Sequence, residues 1–227
     1  MILLKLSIKI KTNKETYVIV FVICLAFALL TFLIVSLETH AQQRDTLVEW
    51  TPVSKPEETT RHIPSYFTGA NKSAALTRSN ETVIPGGAGG TKKDGPQFSF
   101  YSRGWNSDDQ WWQLSDISTG GFESIELSFT VKGSDTGPKN FALEYSADGI
   151  EWLPLTNSSH SPITYSIIAD NKFHQQGPYH LSAGIDDLER LYIRFVNSDE
   201  ESIAGGPTKN VGTNYISDIM ITGMPKK

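Results

Sequence analysis

From Thr46 onward the chain is a succession of short runs in which apolar and polar residues alternate, each closed by Gly, Pro, Asn or Asp. A period of two sends alternate side chains to opposite faces of an extended strand, so these runs predict half-buried antiparallel β structure. In "ESIELSFTVKG", Ile125, Leu127, Phe129 and Val131 share one face, and Glu126, Ser128 and Thr130 share the other. "NFALEYS" offers Phe141, Leu143 and Tyr145 as its apolar set, and "RLYIRFVNS" offers Leu191, Ile193 and Phe195 against Tyr192 and Arg194. Further strands are predicted at Thr46 to Thr51, Ser73 to Thr77, Gln97 to Ser102, Gln110 to Leu114, Glu151 to Leu155, Ile163 to Ile168 and Asn214 to Thr222. About ten strands with no convincing amphipathic helix need a second sheet to cover their apolar faces. The expected class is therefore all-β, a jelly-roll type β-sandwich. Asp148-Gly149 supplies a tight hairpin turn, and Gly137-Pro138 a break between two long strands.

The first forty residues follow a different pattern. Lys5, Lys9, Lys11 and Lys14 precede an uncharged apolar stretch from Tyr17 to Leu37, long enough to cross a bilayer as a helix. Thr39 and Ala41 then occupy the small-residue positions of a cleavage site after Ala41. Residues 1–41 thus read as a signal peptide or as an uncleaved N-terminal membrane anchor, with the lysines on the cytoplasmic side. Both readings export the remainder, to the extracellular surface or the periplasm.

Residues 1–41 hold four of the 20 basic and two of the 25 acidic residues, which leaves 16 against 23, a formal charge of −7. Such a surface repels phosphate backbones, so nucleic acid is not an expected partner. The one cysteine, Cys24, lies inside the apolar stretch, so the exported part has neither a disulfide nor a thiolate. "PGGAGG", Pro85 to Gly90, reads as a loop, since it lacks the Gly-Lys-Ser/Thr ending of a phosphate-binding loop. The stretch from Gln42 to Gly95 is polar, yet "TLVEWTP" and "SAALTRSNETVI" hold apolar clusters that are costly to leave in water. The domain is expected over residues 46–223.

Two tryptophans are expected in the core: Trp50 beside Leu47 and Val48, and Trp152, which follows the Asp148-Gly149 turn on the same strand face as Ile150. "FYSRGWNSDDQWWQ" is different, because Tyr101, Trp105, Trp111 and Trp112 crowd there with Arg103, Asn106, Asp108 and Asp109. Adjacent Trp111 and Trp112 point to opposite faces of a strand, so one of them leaves the core. An exposed indole beside planar polar groups suits a sugar ring, whose C–H groups meet the aromatic face while its hydroxyls meet amides and carboxylates. Tyr101, Arg103, Trp105, Asn106, Asp109, Trp111 and Trp112 are therefore the candidate ligand-binding residues.

Catalysis has little to stand on. His62, His160, His174 and His180 fall in no metal-ligand spacing, and no GxSxG motif occurs. The neighbouring acids Asp108-Asp109, Asp186-Asp187 and Asp199-Glu200-Glu201 rarely face each other across a cleft as glycoside hydrolysis requires. "GGPTKNVGTN", Gly205 to Asn214, is expected to form a loop at one end of the sandwich.

Taken together, "TLVEW", "SAALTRS", "FSFYSRGWN", "WWQLSDISTGGFESIELSFTVKGSDTGPKNFALEYSADGIEW" and "GTNYISDIMITG" resemble a bacterial extracellular jelly-roll domain. That domain is found appended to secreted proteins of the endonuclease/exonuclease/phosphatase type, to lamin-tail proteins, or alone, and it echoes discoidin-like and carbohydrate-binding sandwiches. The resemblance spans Thr46 to Gly223. It implies a structural calcium near the first and last strands, but this chain has Thr51 and Ser217-Asp218 where members carry further acids, which removes candidate ligands. No cofactor is expected otherwise. The reading is an exported noncatalytic binding or adhesion module for a glycan or surface polymer. The alternatives are a structural or protein-interaction companion of a secreted hydrolase, and a hydrolase in its own right.

Overall fold

The computed structural model describes residues 43–79, 84–88, 97–106 and 110–227, and the hydrophobic stretch Tyr17 to Leu37 lies outside these. Among the described residues no helix is long and apolar enough to cross a membrane. Residues 43–227 form one compact unit.

Fourteen strands are present among the described residues: β1 (Asp45–Trp50), β2 (Arg61–His62), β3 (Tyr66–Phe67), β4 (Ala75–Arg78), β5 (Gly86–Ala88), β6 (Phe98–Ser102), β7 (Trp111–Ile117), β8 (Phe122–Gly133), β9 (Asn140–Ser146), β10 (Leu153–Pro154), β11 (Thr164–Ser166), β12 (His174–His180), β13 (Leu191–Asn197) and β14 (Asn214–Pro225). They form two antiparallel sheets. The first runs β12-β8-β14-β1-β3, with β6 also on β14 and β5 on β6. The second runs β10-β9-β13-β7-β4-β2, with β11 also on β9. The two sheets make an all-β sandwich.

The twelve-residue β14 organises the first sheet. One edge pairs with β8 along its length, and the other is shared. Asn214 to Ile216 pair with β6, whereas Ile219 to Gly223 pair with β1. The change of partner falls at a bulge between Ser217 and Met220, where Asp218 has φ of 48°. A bulge adds a residue to one strand and bends it, which lets β14 serve two neighbours on one side.

Alternation places the core as the sequence predicts. Ile125, Leu127, Phe129 and Val131 of β8 are buried against Phe141 and Leu143 of β9 and Leu191, Ile193 and Phe195 of β13. An aromatic chain runs through this core. Trp112 meets Trp105 at 6.0 Å between ring centroids, Trp105 meets Phe141 at 5.5 Å, Phe141 stacks on Tyr165 at 5.1 Å, and Tyr165 meets Phe129 at 5.1 Å. Buried indole N–H groups need acceptors, and each here has one. Trp50 Nε1 donates to the His62 carbonyl at 3.1 Å, Trp105 Nε1 to the Ser102 carbonyl at 3.0 Å, and Trp112 Nε1 to Asn214 Oδ1 at 2.7 Å. The last bond joins β7 of one sheet to β14 of the other.

Two sequence expectations change. "PGGAGG" is not wholly loop, because Gly86–Ala88 pairs with β6 as a short edge strand. The strand expected at Glu151 to Leu155 shrinks to Leu153–Pro154, because the bonds that close the preceding turn hold Ile150 and Glu151 out of the ladder.

Candidate functional site

Strands β6 and β7 lie in different sheets, which scatters the residues that crowd together in sequence. Trp105 and Trp112 are fully buried and belong to the core, which removes them as ligand contacts. Trp105 is held there by Arg78, whose guanidinium lies 3.8 Å from its ring centroid. Arg78 is itself buried. It donates to Ser102 Oγ at 3.0 Å, to the Trp111 carbonyl at 3.2 Å and to Gln110 Oε1 at 2.6 Å, and burial pulls its pKa down to about 9. Tyr101 stands on the first sheet, Arg103 follows the end of β6, Asn106 is exposed, and Asp109 lies outside the described residues, as does Asp108. Trp111 alone of the indoles in this segment faces outward, on the second sheet, half-buried, as the alternation of a strand requires of one member of a Trp-Trp pair.

Trp111 meets there a partner that local sequence did not point to. In the register of the second sheet, Glu144, Arg194, Gln113 and Thr77 are direct neighbours across β9, β13, β7 and β4, all on the outer face. Trp111, two residues before Gln113 on the same face, is a diagonal neighbour of Arg194 and lies 4.2 Å from its guanidinium. From the other side Trp152 lies 3.7 Å from the same guanidinium. Arg194 Nε donates to Gln113 Oε1 at 2.9 Å, which fixes the plane of the cation. The result is a Trp-Arg-Trp stack on the outside of a sheet, each face worth ~0.5–2 kcal/mol.

Trp152 reaches this position through the Asp148-Gly149 turn. Asp148 Oδ1 accepts the backbone N–H of Ile150 at 2.8 Å and of Glu151 at 3.0 Å, as well as the Ser146 hydroxyl at 2.8 Å. These bonds, led by the one from Ile150, hold the Asp148 carboxyl below its ordinary range. Gly149 has φ of 78°, and a Cβ there would meet the Tyr192 ring at 3.4 Å. The turn therefore folds back across the outer face, and its residues do not continue as a strand of period two. Ile150 is 80% exposed, and Trp152 is half-buried over Arg194 and so lies outside the core expected for it. Tyr192, next along β13, donates to Asp116 Oδ1 at 3.2 Å, and burial is the main cause that raises its hydroxyl pKa. The face thus offers two indoles, a guanidinium, an amide, the Glu144 carboxylate and the Thr77 hydroxyl within a few strands.

The described acids elsewhere close loops. Asp187 accepts the Gly121 N–H at 2.8 Å and pairs with Lys226 at 2.9 Å, and both hold its pKa down. Lys139 pairs with Glu201 at 2.7 Å, and Asn140 donates to Asp199 at 2.8 Å. At the first and last strands Ser217 Oγ donates to the Phe98 carbonyl at 3.1 Å and lies 3.3 Å from Asp218 Oδ1, and burial raises the Asp218 carboxyl above its ordinary value. Among the described residues no three His, Cys, Asp or Glu side chains gather to hold a metal ion.

No protein-family model matches the chain, and no curated protein matches it. Similar solved structures include the CBM22-1 xylan-binding domain of Paenibacillus barcinonensis Xyn10C, at TM-score 0.42 and 14% identity over 82% of this chain and 99% of that one. TmCBM61, solved in complex with β-1,4-galactotriose, is similar at TM-score 0.38 and 8% identity over 65% and 86% of the two chains. The K1 cleaved adhesin domain of Lys-gingipain from Porphyromonas gingivalis is similar at TM-score 0.38 and 11% identity over 79% and 96%.

Proposed function

We propose that the chain is an exported, noncatalytic binding module of jelly-roll type that takes a glycan on the outer face of its second sheet. The observation that carries the reading is the Trp111-Arg194-Trp152 stack, with Gln113 and Glu144 in the same register row. Arg194 and Gln113 hold Trp111 and Trp152 in place before any ligand arrives, so little side-chain freedom remains to be lost on binding. Sugar C–H groups pack on the free edges and faces of the indoles while the amide and carboxylate of the row meet hydroxyls. The stretch Tyr17 to Leu37 takes the sandwich through the membrane and either holds it there or releases it after Ala41, which N-terminal sequencing of the mature protein decides.

All five tryptophans of the chain lie in the sandwich, so intrinsic fluorescence of the full chain reports on this face. Titration with neutral soluble polysaccharides such as xylan, galactan and glucomannan is expected to give a saturable shift. The shift is expected to vanish in Trp152→Ala and in Trp111→Ala while the far-ultraviolet circular dichroism is kept. A flat response across the panel from well-folded protein rejects the proposal and turns attention to a protein partner, such as a secreted hydrolase that co-purifies with the chain.

A further inference from the structure

The outer face of the first sheet carries a second aromatic group, of different chemistry. Tyr215 of β14 is the register partner of Tyr101 on β6 and of Lys132 on β8. Three side chains thus stand in a line across three neighbouring strands, a span of ~10 Å at ~4.8 Å per strand. The two tyrosine rings are 5.6 Å apart and tilted by 37°, so they form one shallow, continuous surface. Phe173 meets Tyr215 edge-on at 6.3 Å and bounds that surface.

Two cations lie beside this surface. Lys132 Nζ is 5.5 Å from the Tyr215 centroid and 5.4 Å from that of Phe173, and the Arg103 guanidinium is 5.9 Å from the Tyr101 centroid. Among the described residues neither cation pairs with a carboxylate, and both stand against rings instead. In an exported part with seven more acids than bases, these two cations, with no carboxylate partner among the described residues, have capacity for an external anion. Burial is the main cause that raises the Tyr215 hydroxyl pKa, with Tyr101 adding and Arg103 opposing, so this hydroxyl stays protonated as a donor at neutral pH.

We infer that the Arg103-Tyr101-Tyr215-Lys132 row is a second binding face, for an anionic polysaccharide whose sugar rings lie on the tyrosines while its acidic groups meet the cations. The two tyrosines suit the C–H face of a pyranose, and the adjacent cations select a polymer that carries acid groups along its length. This face lies on the opposite sheet from the Trp111-Arg194-Trp152 stack and stands or falls independently of it.

The test uses the full chain in mild detergent and three polyanions: polygalacturonate for a carboxylate, dextran sulfate for a sulfate, and poly-glutamate for charge without sugar rings. Isothermal titration is expected to show binding of polygalacturonate or dextran sulfate, and the one preferred identifies the acidic group. Affinity is expected to weaken as NaCl rises from about 50 to 500 mM, because opposite charges at a surface are screened. Tyr215→Ala and, separately, the double variant Lys132→Gln/Arg103→Gln are each expected to lower it by about tenfold or more. Trp152→Ala is expected to leave it unchanged while it abolishes the response to neutral polysaccharides. The double variant alters only surface charge, so it carries the test even if Tyr215→Ala fails to fold. Absence of binding to both polysaccharides overturns the inference, as does equal binding of poly-glutamate, or binding that survives the double variant.

Discussion

The bond between Trp112 and Asn214 is a buried polar link between the two sheets, and a double-mutant cycle measures it. Both residues are fully buried, and Trp112 Nε1 donates to Asn214 Oδ1 at 2.7 Å. The indole N–H can only donate, so it sets the amide's orientation and points Nδ2 elsewhere, where no described group partners it. Trp112→Phe strands Oδ1, at about 1–3 kcal/mol for a buried unpaired group. The lost ring area adds about 1 kcal/mol at ~25 cal/mol per Å2. Asn214→Ala strands the indole N–H at a similar cost, lowered in part because it also removes the unpaired Nδ2. In the double variant neither stranded atom exists, so its loss is expected to fall short of the sum of the singles by about 1–2 kcal/mol. The assay is urea unfolding at pH 7 followed by far-ultraviolet circular dichroism, since the ring itself contributes to fluorescence. Losses that add to within about 0.3 kcal/mol refute the bond's part in holding the sheets together.

Two further outcomes follow from single positions. A Cβ on Gly212 would lie 2.1 Å from the Thr136 carbonyl oxygen, whereas one on Gly206 would meet open space. Gly212→Ala is therefore expected to cost about 2 kcal/mol or more and Gly206→Ala less than about 0.5; equal thermal midpoints for the two variants refute the close approach. His62 is buried with Nε2 3.1 Å from the Ile84 carbonyl, and burial is the main cause that lowers its pKa from 6.5. Above that value both folded and unfolded states are neutral, and below it the unfolded chain takes the proton first. Stability is thus lost as pH falls from about 6.5 through the lower folded value. His62→Gln keeps a donor for the carbonyl and is expected to flatten this loss in urea midpoints; an unaltered acid limb refutes it.

The core was legible in the sequence because period-two alternation in β8, β9 and β13 names its own inward set, and Ile125 to Val131 and Leu191 to Phe195 lie where that reading puts them. Strands such as β12 were not legible. "HQQGPYH" has no apolar face of its own and is held as an edge by β8, across a register shift at Gly177 and Pro178. The candidate site was legible only in part. The Trp111-Trp112 pair showed that one indole faces outward, but local spacing cannot tell that β6 and β7 enter different sheets, which separates Tyr101 from Trp111. Trp152 was misplaced because the Asp148 bonds end the strand period before it. Its partner Arg194 is 42 positions away in sequence and meets it only through the register of β9 and β13.

The divided edge of β14 also bears on mechanics. Asp45, where the chain enters β1, pairs with Gly223, while Tyr215 lies eight residues back along β14, ~26 Å away at ~3.3 Å per residue. A force applied at Tyr215 while the chain is held at Gln43 would pull β1 and β14 in opposite directions along their own axes. The hydrogen bonds from Asp45 to Trp50 are then strained together in shear and do not peel one after another. Along the line between its entry point and the Tyr101-Tyr215 row, such a sandwich would meet traction with paired strands loaded in shear.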